Sequence, residues 1–202
     1  MQGCSVTPGH HPNSTEKGRW LSNRNPIGLF RYRSEVSGWE IRIGESGIRS
    51  VSPVSEVSPG LAALPPSPLR EELDEYFQGR RISFGQRLDL PSEPVFSRSV
   101  WTGLTRIPWG QVRTYSELAE TLGGRNLARA VAGACSRNPV ALLVPCHRVV
   151  GENGPGGYSG EGGISLKLAL LRIEGVDYPV RDVSRSPRGR RRSCCETDRT
   201  ER

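Results

Sequence analysis

The sequence predicts an α+β protein in two parts: a small sheet domain over residues 20–90 and a mainly helical domain over 91–180. Three observations predict it. Trp39, Ile41 and Ile43 alternate with Glu40 and Arg42, the period-two pattern of a half-buried strand. Beyond residue 94 the apolar residues recur instead at helical spacing, as in Phe96, Val100, Trp101 and Leu104. Pro91-Ser92-Glu93-Pro94 separates the two patterns.

Residues 1–19 are polar and carry Pro8, Gly9, Pro12 and Gly18, so they are expected to be a disordered extension. Glu45-Ser46-Gly47 turns the first strand into a second, led by Ile48 and Val51. Residues 52–67 are rich in Ser and Pro and read as a loop. Ser67-Pro68 reads as a helix start, with Ser67 as the cap. Leu69, Leu73, Tyr76 and Phe77 follow at helical spacing and Gly79 stops the helix. Phe84 to Leu90 reads as a further strand.

In the second part, Thr114-Tyr115-Ser116-Glu117 is a capping box, in which the Thr hydroxyl covers a free backbone N–H and Glu117 reaches back. Its helix ends at Gly123-Gly124, and a third helix of small residues follows from about Leu127 to Cys135. Two short helices across a Gly turn make a helix-turn-helix pattern. Val140 to Val144 reads as a buried strand delivering Pro145-Cys146-His147-Arg148-Val149-Val150. A glycine-rich loop runs from Gly151 to Gly163, and a last helix carries Leu166, Leu170, Leu171 and Ile173.

The chain of 202 residues is long enough for one large or two small cores, and 35% hydrophobic residues leave part of it unpacked. No run approaches the roughly 18 apolar residues of a membrane span, and Met1 to Trp20 lacks the apolar centre of a secretory signal. The five cysteines, Cys4, Cys135, Cys146, Cys194 and Cys195, are odd in number and scattered, which reads as reduced thiols. Cys4 with His10 and His11 fits no standard zinc spacing, so no metal site is predicted. The net charge of +7 favours an anionic partner such as nucleic acid. Residues 181–202, with eight Arg against four acidic residues, carry +4 of it and read as a disordered basic tail. Between Arg106 and Arg148 six arginines face only Glu117 and Glu120.

The sharpest chemical feature is Cys146 between Pro145 and His147. A free thiol with a pKa near 8.5 is only slightly ionised at neutral pH, so a nucleophilic Cys146 needs a base or a cation nearby. Neighbours on an extended chain point to opposite faces. His147 therefore acts on Cys146 only across a turn or through a water, and a carboxylate would hold its tautomer. The residues alone leave that carboxylate open.

Pro145-Cys146-His147-Arg148-Val149-Val150 resembles the active-site signature of the O6-alkylguanine-DNA alkyltransferases. The similarity extends to Val100-Trp101, Leu104, Ile107-Pro108, Gly110, Tyr115, Leu118-Ala119, Ala128-Arg129-Ala130-Val131, Asn138-Pro139, Gly157-Tyr158 and Glu174-Gly175. It is close over residues 88–178 and loose over 20–88. The fold it implies is α+β: a small N-terminal ribonuclease-H-like sheet domain plus a helical C-terminal domain with the helix-turn-helix and the active-site loop. The implied function is direct reversal of DNA damage. O6-alkylguanine, mainly O6-methylguanine and also O4-methylthymine, is flipped from double-stranded DNA, and the alkyl group passes irreversibly to Cys146 in a single turnover.

The resemblance implies roles residue by residue. Cys146 is the acceptor, His147 takes its proton through a water, Glu174 orients His147 and Asn138 braces the hinge before the active site. Tyr115 hydrogen-bonds the flipped base, backbone atoms of Cys146 and Val149 read its edge, and Tyr158 and Ser159 line the pocket. Arg129 fills the gap in the stack. Ala128, Arg125, Thr114 and Arg148 complete the DNA-contacting set, with the recognition helix in the minor groove. No cofactor or metal is implied, and the expected form is a monomer, cytoplasmic with the nucleoid in a prokaryote or nuclear in a eukaryote. Two departures stand out. The stretch from Tyr158 to Lys167 is about two residues longer than usual and contains Glu161, and Ser97 stands where Gln is usual. The alternative is a catalytically impaired lesion-binding relative that recruits other repair factors; that branch carries Trp at the nucleophile position. A cysteine hydrolase and a plain helix-turn-helix regulator are the other readings weighed.

Overall fold

The computed structural model describes residues 27–56, 63–80, 83–92 and 94–178. The expected extension 1–19, with Cys4, His10 and His11, and the tail 181–202 lie outside these residues.

The first part is a three-stranded antiparallel sheet in the order β1 (Gly28–Arg33), β2 (Gly38–Gly44), β3 (Gly47–Val54). Strand β1 has no counterpart in the reading above. Its alternation, Phe30 and Tyr32 inward, spans too few residues to stand out. Cross-strand pairing puts Phe30 beside Ile41, Tyr32 beside Trp39 and Ile41 beside Val51, so one face of the sheet is apolar. Helix α1 (Ser67–Phe77) covers that face with Leu69, Leu73 and Tyr76, and Phe77 stacks on Tyr32. Burial of each such side chain contributes about 1.5–3 kcal/mol. Ser67 does not cap α1. Pro66 occupies the cap position, and the Ser67 hydroxyl, one residue inside, bonds Glu71 instead.

Two expected strands are absent, for a shared reason. Phe84–Leu90 makes only one bridge, Leu88 to Ile48 of β3, and Val140–Val144 makes one to Val51 of the same strand. Each segment uses one short stretch of the β3 edge. Ile48 N donates to Arg87 O and Val51 N to Pro139 O. Arg87 O lies 2.4 Å from where a Cβ on Gly47 would stand, so only glycine allows the first contact. The second contact joins the two parts of the chain at the residues that precede Cys146.

The helical part contains α2 (Val95–Leu104), α3 (Tyr115–Glu120) and α4 (Ala128–Ser136). Trp101 of α2 donates its indole N–H to Ala134 O of α4. The capping box is present: Glu117 N donates to Thr114 Oγ1 and Thr114 N to the Glu117 carboxylate. Gly123 and Gly124, at φ of 129° and 144°, turn the chain into a 3-10 turn at Arg125–Leu127 and then α4. A two-residue parallel pair joins β4 (Arg113–Thr114) to β5 (Val149–Val150), and α5 (Gly163–Ile173) closes the fold. The result is a mixed α/β architecture with a small antiparallel sheet. Among the described residues no helix is long and apolar enough to cross a membrane.

Candidate active site

The segment 140–148 is a buried knot of turns, and Asn138 ties it. Leu142 adopts φ 75°, a left-handed conformation rare for leucine. Asn138 Nδ2 donates to Val144 O at 2.7 Å, and its Oδ1 accepts from Val140 N at 3.1 Å. These bonds replace a strand ladder. The turn then delivers Cys146 at the start of a 3-10 turn, Cys146–His147–Arg148, rather than at a strand end. In a 3-10 turn consecutive residues no longer point to opposite faces, so His147 follows Cys146 into the interior.

His147 is fully buried, and its Nε2 lies 2.8 Å from Glu174 Oε1. Glu174, at the C-cap of α5, also accepts from Arg148 Nε at 2.7 Å, Arg148 Nη2 at 3.0 Å and the Tyr76 hydroxyl at 2.8 Å. Burial opposes its ionisation, yet the hydrogen bonds from His147 and Arg148 and the Arg148 charge bring the carboxyl down to about 2. Burial lowers the pKa of His147, against the pull of Glu174. The resting pair is therefore a carboxylate and a neutral imidazole. Its Nε2 carries the hydrogen, and its Nδ1 has no protein partner among the described residues.

Burial pushes the Cys146 thiol up. A hydrogen bond from Asn138, the charge of Lys167 and the backbone N–H groups of Cys146 and His147 act against that rise. Cys135, in the last turn of α4, is pushed up to about 12 by burial and by Cys146, so it stays a thiol.

Tyr115 opens α3, and its hydroxyl lies 3.5 Å from Gly157 O. Gly156, at φ 73°, packs so closely on the Tyr115 ring that a Cβ there would stand 2.9 Å from it. The Tyr158 hydroxyl is buried without a partner among the described residues, while Ser159 Oγ donates to Ser136 O at the end of α4. Val149 O accepts from Lys167 Nζ. Arg129 is exposed on α4 without an ion-pair partner among the described residues, and Ala128 precedes it. Arg125 is also exposed and bridges Glu120 and Glu152. Thr114 spends its hydroxyl on the cap of α3.

Arg148 is a correction. The resemblance sets it among the DNA contacts, but it is buried. Its guanidinium grips Glu174 with two N–H groups and donates a third to Ile107 O at 2.6 Å. Glu161 lies against the β1–β2 turn, sharing a shallow groove with residues 33–38. Sequence reasoning missed two site residues. Tyr76 looked like a core residue of α1, yet it reaches across to Glu174 and lies 3.4 Å from His147 Nε2. Lys167 interrupts the apolar stripe of α5 and is fully buried. A lysine on the buried face of a helix is the signal that could have found it.

Comparison with known proteins adds to this geometry. A family profile described as the DNA-binding domain of 6-O-methylguanine DNA methyltransferase matches residues 95–176. The methylated-DNA–protein-cysteine methyltransferase of Saccharolobus islandicus (strain M.16.27) is 48% identical over 108 residues, covering 54% of this chain and 68% of that protein. The chain belongs to the methylated-DNA–protein-cysteine methyltransferase family. The relative of the same name from Sulfolobus acidocaldarius is 47% identical over 109 residues, 54% of this chain and 67% of that protein. Among solved family structures, Mycobacterium tuberculosis OGT in complex with DNA superposes with a TM-score of 0.64 at 34% identity, covering 75% of this chain and 94% of that one. The O6-methylguanine-DNA methyltransferase of Pyrococcus kodakaraensis gives 0.55 at 29%, covering 73% and 98%. The profile match lies within the helical part, and the superposition on the M. tuberculosis protein spans 75% of this chain.

Proposed function

We propose that this chain repairs duplex DNA by moving the alkyl group of O6-alkylguanine to Cys146 Sγ, once per molecule. The observation that carries the reading is the buried relay. Ionised Glu174 fixes the hydrogen of His147 on Nε2, which turns Nδ1 into the base, on the residue next to a buried thiol. A thiol held up by burial needs such a base. A bridging water passes its proton to His147. The thiolate attacks the alkyl carbon, the S–C bond forms as the C–O6 bond breaks, and the electron pair leaves with guanine. Guanine takes up one proton, which balances the one lost by the thiol. The product is a thioether with no good leaving group, so the molecule does not turn over.

Recognition rests on α4. Ala128, Ala130, Ala132 and Gly133 give it a small-residue surface for close approach in the minor groove, and exposed Arg129 replaces the extruded base. Tyr115, Tyr158 and Ser159 line the pocket, with O6-methylguanine the main substrate and O4-methylthymine a second. The sheet with α1 is read as the ribonuclease-H-like domain, and the protein acts as a monomer. The relatives named for methylated DNA and protein cysteine, and the DNA complex of the M. tuberculosis protein, support the reading.

The test is stoichiometry. Mixed with excess O6-methylguanine duplex, the protein should gain one methyl group on the Cys146 peptide and repair one lesion per molecule. Continued repair, or a methyl on Cys135, would falsify it.

A further inference from the structure

We propose that Lys167 is a positioning residue, the fixed cation of this site: its ammonium favours the Cys146 thiolate and ties the active-site loop over it. The inference rests on the alkyl-transfer reading. Lysine side chains are rarely buried without a carboxylate, because an ammonium gives up much hydration. Lys167 is fully buried and has no carboxylate partner among the described residues. Its Nζ donates to Val149 O at 2.5 Å and to Gly157 O at 3.2 Å, so it joins α5 both to β5, just after the nucleophile turn, and to the loop. It also stands 5.8 Å from the centre of the Tyr115 ring.

The charged and titratable groups facing it come from every surrounding element: Cys146 and His147 from the 3-10 turn, Cys135 from α4 and Tyr115 from α3. Burial brings the lysine down to about 8, and the Cys146 and Cys135 sulfurs pull it back up. A buried cation that costs hydration is retained where it meets negative charge. Here that charge starts on the Cys146 sulfur and moves to the base held beside Tyr115. A fixed ammonium, held on Val149 O and Gly157 O and beside the Tyr115 ring, stabilises it without reorganising during reaction. The same charge disfavours protonation of His147, which keeps that ring available as the base.

The experiment measures the reactivity of Cys146 toward iodoacetamide against pH, read by peptide mass, without DNA. Lys167→Gln keeps N–H donors for the two carbonyls and removes the charge. It should raise the midpoint of the Cys146 profile by about one pH unit and slow labelling at pH 7 about tenfold. Lys167→Arg keeps the charge and should keep the wild-type midpoint. An unchanged midpoint in Lys167→Gln, or a shift as large in Lys167→Arg, overturns the proposal. If either variant does not fold, the other decides. If neither folds, the wild-type profile decides. It should be broader than a one-proton titration, because Lys167, brought down to about 8, loses its charge within the pH range scanned, and a one-proton curve overturns the proposal. A wild-type protein that takes no methyl from DNA would sink the alkyl-transfer reading and leave this thiol measurement standing.

Discussion

Two regions of the helical part carry their cations in opposite ways. Around the Cys146–Arg148 turn, the Arg148 guanidinium is buried against Glu174 and Ile107 O and the Lys167 ammonium against Val149 O, each bonded to fixed acceptors. Along the turn into α4, Arg125 and Arg129 stand in water. Charge of the first kind sets protonation states and geometry, and its removal leaves an uncompensated group in the interior. Charge of the second kind is screened by salt and contributes little to folding, whether paired on the surface, as Arg125 is with Glu120 and Glu152, or without an ion-pair partner among the described residues, as Arg129 is. Under the proposed function, the chemistry falls to the buried cluster and recognition to the exposed helix.

The largest expected effect breaks the interior. Glu174→Ala leaves Arg148 buried without its carboxylate and should cost about 3–5 kcal/mol in urea denaturation. A loss under about 1 kcal/mol would mean that Arg148 swings out to water and that the contrast is wrong.

Acid should reach the same cluster in two stages. His147 has its pKa lowered by burial, so the folded state binds fewer protons than the unfolded chain, and stability should start to fall as pH drops below 6.5. Glu174 is depressed from 4.5 to about 2. Its contribution is fully present above pH 4.5 and is lost as pH falls through about 2, a total of about 3 kcal/mol. Urea midpoints at pH 7, 5 and 3 check this. Equal midpoints at pH 5 and 3 would remove Glu174 from the account.

Arg129→Ala tests the exposed region. Stability should change by less than about 0.5 kcal/mol. The rate on O6-methylguanine duplex should fall about 30-fold, while reaction with the free modified base, which needs no extrusion, should stay within about threefold. Equal losses on both substrates would take Arg129 out of base flipping.

The smallest effect belongs to Glu161, exposed beside the β1–β2 turn. Glu161→Gln should change the duplex rate by less than about twofold at low salt. A larger acceleration that vanishes at high salt would place the carboxylate among the phosphates and blur the boundary between the two regions.

Patterns of short range were legible in the sequence. The alternation at Trp39–Ile43, the capping box at Thr114–Glu117, the glycine turn before α4 and the Pro145–Val150 motif each depend on residues within one or two turns of each other. Local propensity and side-chain–backbone bonds decide such features, and a linear reading captures them. What tertiary structure decided were partnerships between distant segments. Val140–Val144 has the composition of a strand, but among the described residues it meets β3 at a single bridge, Val140 to Val51, and folds as a turn stapled by Asn138. Arg148 looked like one more surface cation until Glu174, 26 residues on, gave it a buried acceptor. Tyr76 meets Glu174 across 98 residues, and Lys167 finds its two carbonyls only once the loop has closed. A buried polar group needs a partner, and which partner it finds depends on how the elements pack.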